Sequence, residues 1–177
     1  IEPGDKIIFD VKCSQALEDM IKKYKGEPVM WKTGHSLIKN KMAESNCKLG
    51  GEMSGHIFFA DDYFGYDDAI YVAARLIQML SKTDKTLSEL KSVIPIYHST
   101  PEIRLEAESD EEKFKIAKLA VEYFTENHNC NTIDGVRIQY ENGWGLVRAS
   151  NTQPVIVCRF EGDTPERMNE IKNIVLD

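Results

Sequence analysis

The sequence has no long apolar run, no glycine-rich phosphate loop and no G-x-S-x-G nucleophile motif. None of its apolar runs approaches the roughly 20 residues that a membrane-spanning helix needs, so we expect no membrane partner. The first residues do not combine a basic start with an apolar stretch, as a secretory signal peptide does. Without a P-loop or a nucleophile elbow, the sequence contains no motif that would identify it as a nucleotide-binding protein or a hydrolase.

Closely spaced cysteines are missing as well. Cys13, Cys47, Cys130 and Cys158 include no C-x-x-C pair, which zinc ribbons and redox motifs require. Because disulfides are rare in the cytosol, we expect four reduced thiols in a cytoplasmic protein, with a pair of disulfides as the alternative.

Metal-ligand spacing is also absent. The four histidines are far apart in the sequence, whereas zinc sites usually contain close ligand pairs. Asp61-Asp62 and Asp67-Asp68 are more typical of surface or helix-cap positions than of magnesium ligands. We therefore expect no metal site within this chain.

Positive charge is in deficit, since 22 lysines and arginines stand against 29 aspartates and glutamates, for a net charge of -7. Binding of nucleic acid or of an anionic membrane depends on many basic groups, so neither partner is expected, although one local anion site remains compatible with this balance. The composition, 42% hydrophobic and 29% charged, is that of a globular protein. Its 177 residues suffice for one large domain or two small ones.

Strands and helices alternate in the first half of the chain, which predicts an α/β layer structure. Asp67–Leu80 has the strong period of an amphipathic helix. Thr86 and Glu89 have the spacing of a capping box. Two further helices are predicted to begin at the caps Ser14 and Ser36. The apolar stripe of the Asp67–Leu80 helix consists of Ile70, Ala73, Ala74, Ile77 and Leu80. The predicted strands are Lys6–Val11, Pro28–Trp31, Lys48–Glu52 and His56–Ala60.

Residues 92–101 contain two prolines and no clear period, so we place a domain boundary there, with domains at 1–94 and 95–177. The sequence of the second domain predicts an α+β fold, with the elements in the order strand, helix, three or four strands, helix. Its antiparallel sheet is expected to be smaller and to have helices on one face. Asn142-Gly143 predicts a hairpin turn and Thr164-Pro165 a helix start. The first helix of this domain is predicted to run from Ser109 to about Asn127, with Phe114, Ala117, Val121 and Phe124 on its core face.

Residues 148–154, the Arg148 loop, read Arg-Ala-Ser-Asn-Thr-Gln-Pro between two strand-like runs. Nearly every polar group there can donate a hydrogen bond, and the one fixed charge is positive. A phosphate has only acceptor oxygens, and Arg148 can hold it with two parallel N–H donors. The loop therefore indicates a small phosphorylated ligand. An ordinary polar hairpin is the alternative, because Ser, Asn and Thr are common turn residues.

Residues 51–56, the Glu52 loop, contain Glu52, Ser54 and His56 beside two glycines that let the backbone turn sharply. We expect Glu52 to be exposed and mobile, with a carboxylate that can accept hydrogen bonds from neighbouring hydroxyls of a sugar. A tight hairpin with a solvated glutamate is the alternative, and His56 could equally be a half-buried strand residue.

Lys12 and His35 each follow a predicted strand. Ligands of open α/β sheets bind outside the carboxyl ends of the strands, where Lys12 could hold a phosphate or a sugar oxygen. His35 precedes a predicted helix, whose N-terminus favours an uncharged imidazole that can shuttle a proton. A solvated lysine and a turn histidine are the alternatives. Because Glu52 also lies near a strand exit, the three residues could converge on one face.

The residues named so far resemble a known family. Gly51–His56 resembles the sugar-recognition loop of the α-D-phosphohexomutases, and Arg148–Thr152 resembles their phosphate-binding loop. Asp10–Cys13, Lys32–Ser36 and Gly143–Val147 resemble the bacterial phosphomannomutase/phosphoglucomutase branch. The similarity covers essentially the whole chain in order. The family has four domains, and this chain is similar to the third, without its beginning, and to the fourth.

The resemblance implies roles for individual residues. Glu52 and Ser54, in the loop with Gly55, would bind the sugar hydroxyls. Met53 stands where the related phosphoglucosamine mutases usually carry Gln, which implies glucose and mannose phosphates as ligands. The residues lining the reacting end would be Lys12, His35 and His56, and the non-reacting phosphate would be held by Arg148, Ala149, Ser150, Asn151 and Thr152.

The family reaction moves phosphate between C1 and C6 of a hexose, through a phosphoserine and a bisphosphorylated sugar. It requires a reactive serine loop and an Asp-Gly-Asp-Gly-Asp magnesium loop, and neither occurs in these residues. The resemblance therefore implies that magnesium and the activator glucose 1,6-bisphosphate serve a full-length enzyme, and that this chain alone is inactive. The implied ligands are the 1- and 6-phosphates of mannose and glucose. The implied protein partner is the set of missing N-terminal domains, and the enzyme is expected to be a monomer.

Two other hypotheses stay open. The chain could be a standalone phosphosugar-binding or regulatory module that never had a catalytic half. It could also be a phosphopeptide-binding domain that uses Arg148.

Overall fold

The computed structural model describes residues 2–177, which divide into two compact units. The first unit ends at Ile96 and the second begins at Tyr97. Across the described residues, no helix combines the length and the apolarity needed to cross a membrane.

The first unit contains a mixed four-stranded sheet in the order β2-β1-β3-β4. The central strand β1 pairs in parallel with both β2 and β3, and β4 closes the sheet as an antiparallel edge strand. This arrangement confirms the predicted α/β layer fold. The strands are β1 (Lys6–Asp10), β2 (Glu27–Trp31), β3 (Leu49–Gly51) and β4 (Ile57–Phe59), and the helices are α1 (Gln15–Lys23), α2 (His35–Ser45), α3 (Ala69–Leu80) and α4 (Leu87–Lys91).

Helices α1 and α2 cover opposite faces of this sheet. Successive side chains of a strand point to opposite faces. Ile8 packs in a cluster with Ile38 of α2, whereas its neighbour Phe9 packs in a second cluster with Ile21 of α1. Both faces of β1 are therefore buried, which explains its continuous apolar sequence.

The start of α2 differs from the prediction. The helix begins at His35, and its N-cap is Gly34 rather than Ser36. Because glycine has no side chain, the cap residue cannot accept a hydrogen bond from the free N–H groups of the first turn. A carboxylate from outside the helix contacts this end instead, and local spacing cannot reveal such a partner.

The predicted amphipathic helix α3 is present, but its apolar stripe is not buried, since Ile70 and Ile77 are 84% and 67% exposed. The helix contacts the sheet through another side. Tyr71 packs edge-on against Phe59 at 5.8 Å between ring centroids, and the Arg75 guanidinium lies 4.5 Å from the centre of the same ring. The sequence period identifies an apolar face, but aromatic and cation–π contacts decide which side docks.

The second unit contains a six-stranded antiparallel sheet in the order β5-β10-β9-β8-β7, with β6 also paired to β10. Both long helices contribute to one core cluster with the sheet, so they lie on one face, as predicted. The strands are β5 (His98–Ser99), β6 (Ile103–Glu106), β7 (Asn129–Asn131), β8 (Val136–Tyr140), β9 (Gly143–Ala149) and β10 (Val155–Gly162), and the helices are α5 (Asp110–Thr125) and α6 (Pro165–Leu176).

The predicted core face of α5 is confirmed at three of its four positions. Ala117 and Phe124 are buried and Val121 packs against the core, but Phe114 is 57% exposed. Lys113 is the buried residue of this turn, at 3% exposure. Its ammonium donates a hydrogen bond to the carbonyl of Gln153 at 2.9 Å, so a polar contact with the Arg148 loop sets the rotation of the first turn.

The hairpin turn between β8 and β9 lies one residue earlier than the predicted Asn142-Gly143 turn. Tyr140 pairs with Gly143, which leaves Glu141 and Asn142 as the two-residue loop. Asn142 adopts a φ of 61°, a left-handed conformation that Asn tolerates better than most residues. The predicted start of α6 is confirmed, since Thr164 caps it and Pro165 is its first residue.

The four cysteines are free thiols in the structure. Cys158 is 1% exposed, and burial raises the pKa of its thiol to about 11. Burial also raises the pKa of Cys47. Both sulfurs therefore stay protonated at neutral pH, which makes them packing residues and poor nucleophiles.

Candidate functional site

The carboxyl ends of β1, β2 and β3 meet at one edge of the first sheet. Their parallel register places Asp10 beside Trp31 and Phe9 beside Gly51. Lys12 follows β1 and is buried, His35 opens α2 after β2, and Glu52 directly follows β3. The topology thus brings these three predicted site residues to the edge where α/β proteins bind ligands.

Glu52 is buried at 9% exposure, so the expectation of an exposed and mobile carboxylate is wrong. One of its oxygens accepts a hydrogen bond from the backbone N–H of Gly34 at 2.6 Å. Gly34 is the N-cap of α2, where unsatisfied donors and the helix dipole favour negative charge. This contact holds the carboxylate in place beside His35.

Gly34 has a backbone φ of 140°, a value that side chains disfavour. A Cβ at this position would also lie 3.4 Å from the side chain of Leu37. Glycine therefore lets the chain turn from β2 into α2 while presenting its N–H to Glu52.

The Glu52 loop returns to β4 through a tight turn. The N–H of Gly55 donates to the carbonyl of Glu52 at 3.0 Å, and Ser54 and Gly55 form an exposed tip. The backbone N–H of Met53 points the other way and donates to Asp10 at 3.1 Å. The loop therefore exposes Ser54 to solvent, while the contact between Met53 and Asp10 holds it against the end of β1.

His56 is exposed rather than half-buried in a strand. Its Nδ1 lies 2.6 Å from a carboxylate oxygen of Asp67, and its ring centroid lies 6.3 Å from that of His35. The Asp67 contact orients the imidazole. The sequence indicated only a surface or helix-cap position for Asp67 and did not predict this contact.

The predicted site of the second unit lies between β9 and β10. Arg148 and Ala149 are the last residues of β9, and both are buried. Ser150 is also buried, whereas Asn151 and Thr152 are exposed on the connecting loop. The loop therefore combines a fixed base with an exposed polar tip.

Arg148 is 4% exposed, and its guanidinium is ion-paired. Its Nε donates to one oxygen of Asp134 at 3.0 Å and its Nη2 to the other at 3.3 Å. The neighbouring Gly135 allows this approach, since a Cβ there would lie 2.3 Å from the carbonyl oxygen of Val147. The edge of the guanidinium formed by Nε and Nη2 is thus occupied by Asp134.

Some donors of the Arg148 loop are used to shape the loop itself. The Ser150 hydroxyl accepts hydrogen bonds from the backbone N–H groups of Thr152 and Gln153, each at 3.3 Å. The N–H of Ser150 pairs with the carbonyl of Val155 at 2.9 Å. Ser150 is therefore a turn-forming residue in this structure, and the donor-rich composition overstates the number of groups that face outward.

Lys113 anchors the far side of this loop. Its buried ammonium contacts the carbonyl of Gln153 at 2.9 Å and a carboxylate oxygen of Asp110 at 2.6 Å. Lys113 and Asp134 were both missed by sequence reasoning, because each lies outside the loop and has no spacing that links it to Arg148.

No group of three His, Cys, Asp or Glu side chains that could hold a metal occurs in residues 2–177. The side chains of the two predicted sites are donors, acceptors and two buried bases, Lys12 and Arg148. They suit recognition of hydroxyl and phosphate oxygens and do not form a magnesium site.

Comparison with protein-family models identifies two consecutive domains. Residues 1–97 match the model described as phosphoglucomutase/phosphomannomutase, alpha/beta/alpha domain III. Residues 102–177 match the phosphoglucomutase/phosphomannomutase C-terminal domain.

Curated relatives and solved structures agree with these matches. The chain is 51% identical over 172 residues to a phosphomannomutase/phosphoglucomutase of Pseudomonas aeruginosa and 43% identical over 176 residues to a phosphoglucomutase of Neisseria gonorrhoeae, covering 97% of this chain each time. It spans only 37% of the length of these relatives. A crystal structure of a phosphoglucomutase/phosphomannomutase family protein from Burkholderia thailandensis has a TM-score of 0.86 at 40% identity, covering 97% of this chain and 36% of that protein.

A more distant structure has the same fold. An Aspergillus fumigatus N-acetylphosphoglucosamine mutase in complex with glucose 1,6-bisphosphate matches 98% of this chain and 38% of its own, with a TM-score of 0.67 at 15% identity.

Proposed function

The chain belongs to the phosphoglucomutase/phosphomannomutase family, and we propose that it is the substrate-recognition part of a mutase that interconverts hexose 1-phosphates and hexose 6-phosphates. The chain spans 37% of the relatives' length, so the complete reaction would belong to a longer protein. The observation that carries the proposal is the buried, ion-paired guanidinium of Arg148 at the start of an exposed polar loop.

The second unit would recognise the phosphate that does not react. Asp134 orients the Arg148 guanidinium by accepting from Nε and Nη2, so an anion would be held by Nη1 and by the second hydrogen of Nη2. Asn151 and Thr152 lie on the exposed tip of the same loop, and the hydroxyl of Ser150, next to Ala149, fixes its shape. A phosphate held in this way contributes binding and orientation but does not take part in bond breaking.

The first unit would recognise the sugar. Glu52 and Ser54 would bind hydroxyls, and the loop that carries Met53 and Gly55 would set the specificity for glucose and mannose phosphates. Glu52 keeps acceptor capacity because a carboxylate offers more lone pairs than the single N–H of Gly34 uses.

The reacting end of the sugar would face Lys12, His35 and His56. A lysine can neutralise charge on a phosphoryl or glycosyl oxygen, and a histidine can take or return a proton. Of the two histidines, His56 has the imidazole that a carboxylate orients. We therefore assign proton transfer to His56 and a binding contact to His35.

Magnesium and glucose 1,6-bisphosphate would serve the longer enzyme. The described residues do not fit a magnesium ion, so its ligands and the phosphoserine would be supplied from outside these 177 residues. Magnesium would neutralise charge on the transferred phosphoryl group when bound there. We also propose a cytoplasmic, monomeric enzyme whose partners are hexose phosphates and its own remaining domains.

A chimeric enzyme tests this proposal. The matching region of the Pseudomonas aeruginosa relative is replaced by this chain, and mutase activity is measured with glucose 1-phosphate and mannose 1-phosphate. We expect turnover of both sugars by the chimera and none by the 177-residue chain alone, because the chain contributes recognition without the phosphoryl donor.

The control is the same chimera carrying Arg148→Ala, which should lose affinity for the sugar phosphate. Its melting temperature should fall, because Asp134 loses its buried partner, so its fold is checked by circular dichroism at the assay temperature. A chimera that is folded but inactive with both sugars would contradict the proposed function and favour an independent phosphosugar-binding module.

A further inference from the structure

We propose that Asp10 is a positioning residue whose buried carboxylate fixes three segments of the sugar-recognition edge relative to each other. This inference rests on the proposed function, because it assigns to Asp10 the task of arranging the residues that would contact the sugar. Asp10 itself would touch no ligand.

Asp10 is the last residue of β1 and is completely buried. A buried carboxylate is costly unless hydrogen bonds and positive charge compensate for its lost hydration. Its position is also central, since β1 is the strand that pairs with both β2 and β3. A group at this point can contact every loop that leaves the carboxyl edge.

The partners of Asp10 come from three separate segments. Its Oδ1 accepts from the backbone N–H of Met53 and from the thiol of Cys13, each at 3.1 Å. Its Oδ2 accepts from the hydroxyl of Thr33 at 3.1 Å and lies 3.9 Å from the ammonium of Lys12. The four contacts use both oxygens and include one positive charge.

The partners lie in the three segments that carry the proposed contacts to the sugar. Met53 lies between Glu52 and Ser54. Thr33 precedes Gly34, whose N–H donates to Glu52. Through these contacts, movement of Asp10 would displace the Glu52 loop and the start of α2 together. A site held this way is preorganised, so the protein orders fewer groups when a ligand binds.

The charge of Asp10 matters as well as its shape. All four neighbouring groups are donors in this arrangement, and Asn would turn one acceptor oxygen into an NH₂ donor. The Thr33 hydroxyl could rotate and accept, but Lys12 and the Met53 N–H cannot. Asp10→Asn should therefore loosen at least one segment, although the side chain keeps its size.

NMR titration of the 177-residue chain tests the inference. Mannose 6-phosphate and inorganic phosphate are each added to the wild type and to Asp10→Asn, while the amide signals of Gly34, Met53 and Arg148 are followed. We expect Asp10→Asn to shift the Gly34 and Met53 signals and to weaken mannose 6-phosphate binding by about tenfold, the effect of losing one charge-assisted contact. Binding of inorganic phosphate should stay unchanged.

The matched control is Glu161→Gln, which alters a carboxylate of the second unit that is equally buried, at 1% exposure, and accepts from Trp144. It should leave the Gly34 and Met53 signals in place. A folded Asp10→Asn chain that binds mannose 6-phosphate as the wild type does would overturn the inference. If the wild type does not bind mannose 6-phosphate, the proposed function itself fails.

A second variant covers the case in which Asp10→Asn does not fold. Thr33→Val keeps the carboxylate and removes one of its donors, with little change in volume. It should move the Met53 amide signal and weaken mannose 6-phosphate binding, because Asp10 is then held less firmly. An unchanged Met53 signal together with unchanged affinity would also overturn the inference.

Discussion

Arg148 is buried with a full positive charge, and Asp134 compensates for that charge before any ligand is present. An arginine held on one edge by a carboxylate loses little conformational freedom when an anion meets the other edge. Lysine could not replace it, because an ammonium lacks the planar fork that serves two partners at once. In the proposed phosphate site, Arg148 and Asp134 would therefore act together as one recognition unit.

At the same scale, the contact between His56 and Asp67 predicts a defined tautomer. Of the two neutral tautomers of His56, a carboxylate 2.6 Å from Nδ1 favours the one that carries its proton on Nδ1, which leaves Nε2 as the acceptor. Asp67→Ala should shift His56 towards the tautomer protonated at Nε2. Long-range proton–nitrogen NMR of the imidazole rings of the chain measures this directly.

His35 provides the internal control for that spectrum, because its ring pattern should not change in the Asp67 variant. If the wild-type His56 already carries its proton on Nε2, the orienting role of Asp67 is wrong.

The polar residues of the two loops could be predicted from the sequence, whereas the residues that support them could not. Arg148, Glu52 and His56 stand out because polar side chains cluster between apolar runs. The contact between Asp10 and Met53 joins residues 43 positions apart, and that between Lys113 and Gln153 joins residues 40 apart. No local spacing encodes such pairs, so only the folded chain brings them together.

At the scale of elements, α2 and α3 show two ways of attaching a helix to a sheet. Helix α2 buries Ile38 and Met42 in a cluster with Ile8. Helix α3 contains no buried residue, and its apolar stripe faces outward. The stability of the first unit should therefore depend on α2 and be nearly indifferent to the stripe of α3.

A matched pair of substitutions tests this difference. Ile38 is fully buried and Ile77 is 67% exposed. Ile38→Ala should lower the free energy of unfolding by about 2–5 kcal/mol, because it leaves a cavity. Ile77→Ala should change it by no more than about 0.5 kcal/mol, as expected for a surface position. Urea denaturation of the two variants under the same conditions provides both values.

A large loss of stability for Ile77→Ala in the 177-residue chain would show that the stripe is packed in solution. A small loss for Ile38→Ala would place the core of the first unit elsewhere.

Element order and type were largely predictable because period and caps are local properties. The capping box at Thr86 and the proline start of α6 were read correctly. The wrong predictions for Ser36 and Phe114 share one cause. In each case a contact from a distant residue decided the cap or the rotation of a helix, and amphipathic period does not contain that information.

At the scale of the whole molecule, both units match consecutive domains of one family, and the chain spans 37% of its curated relatives. The family and fold class were accessible from sequence because two loop motifs occur in the right order. Under the proposed function, the complete reaction would depend on groups outside these 177 residues. For the chain itself, the account therefore predicts binding without turnover.

The most direct test of this account is a titration of the 177-residue chain with mannose 6-phosphate, followed through the amide signals of both loops. The wild type should show shifts at residues 51–56 and 148–152. Arg148→Ala should weaken binding by about tenfold or more, because charge-assisted hydrogen bonds are lost. Unperturbed signals in both loops at millimolar ligand, or equal affinity for Arg148→Ala, would contradict the account.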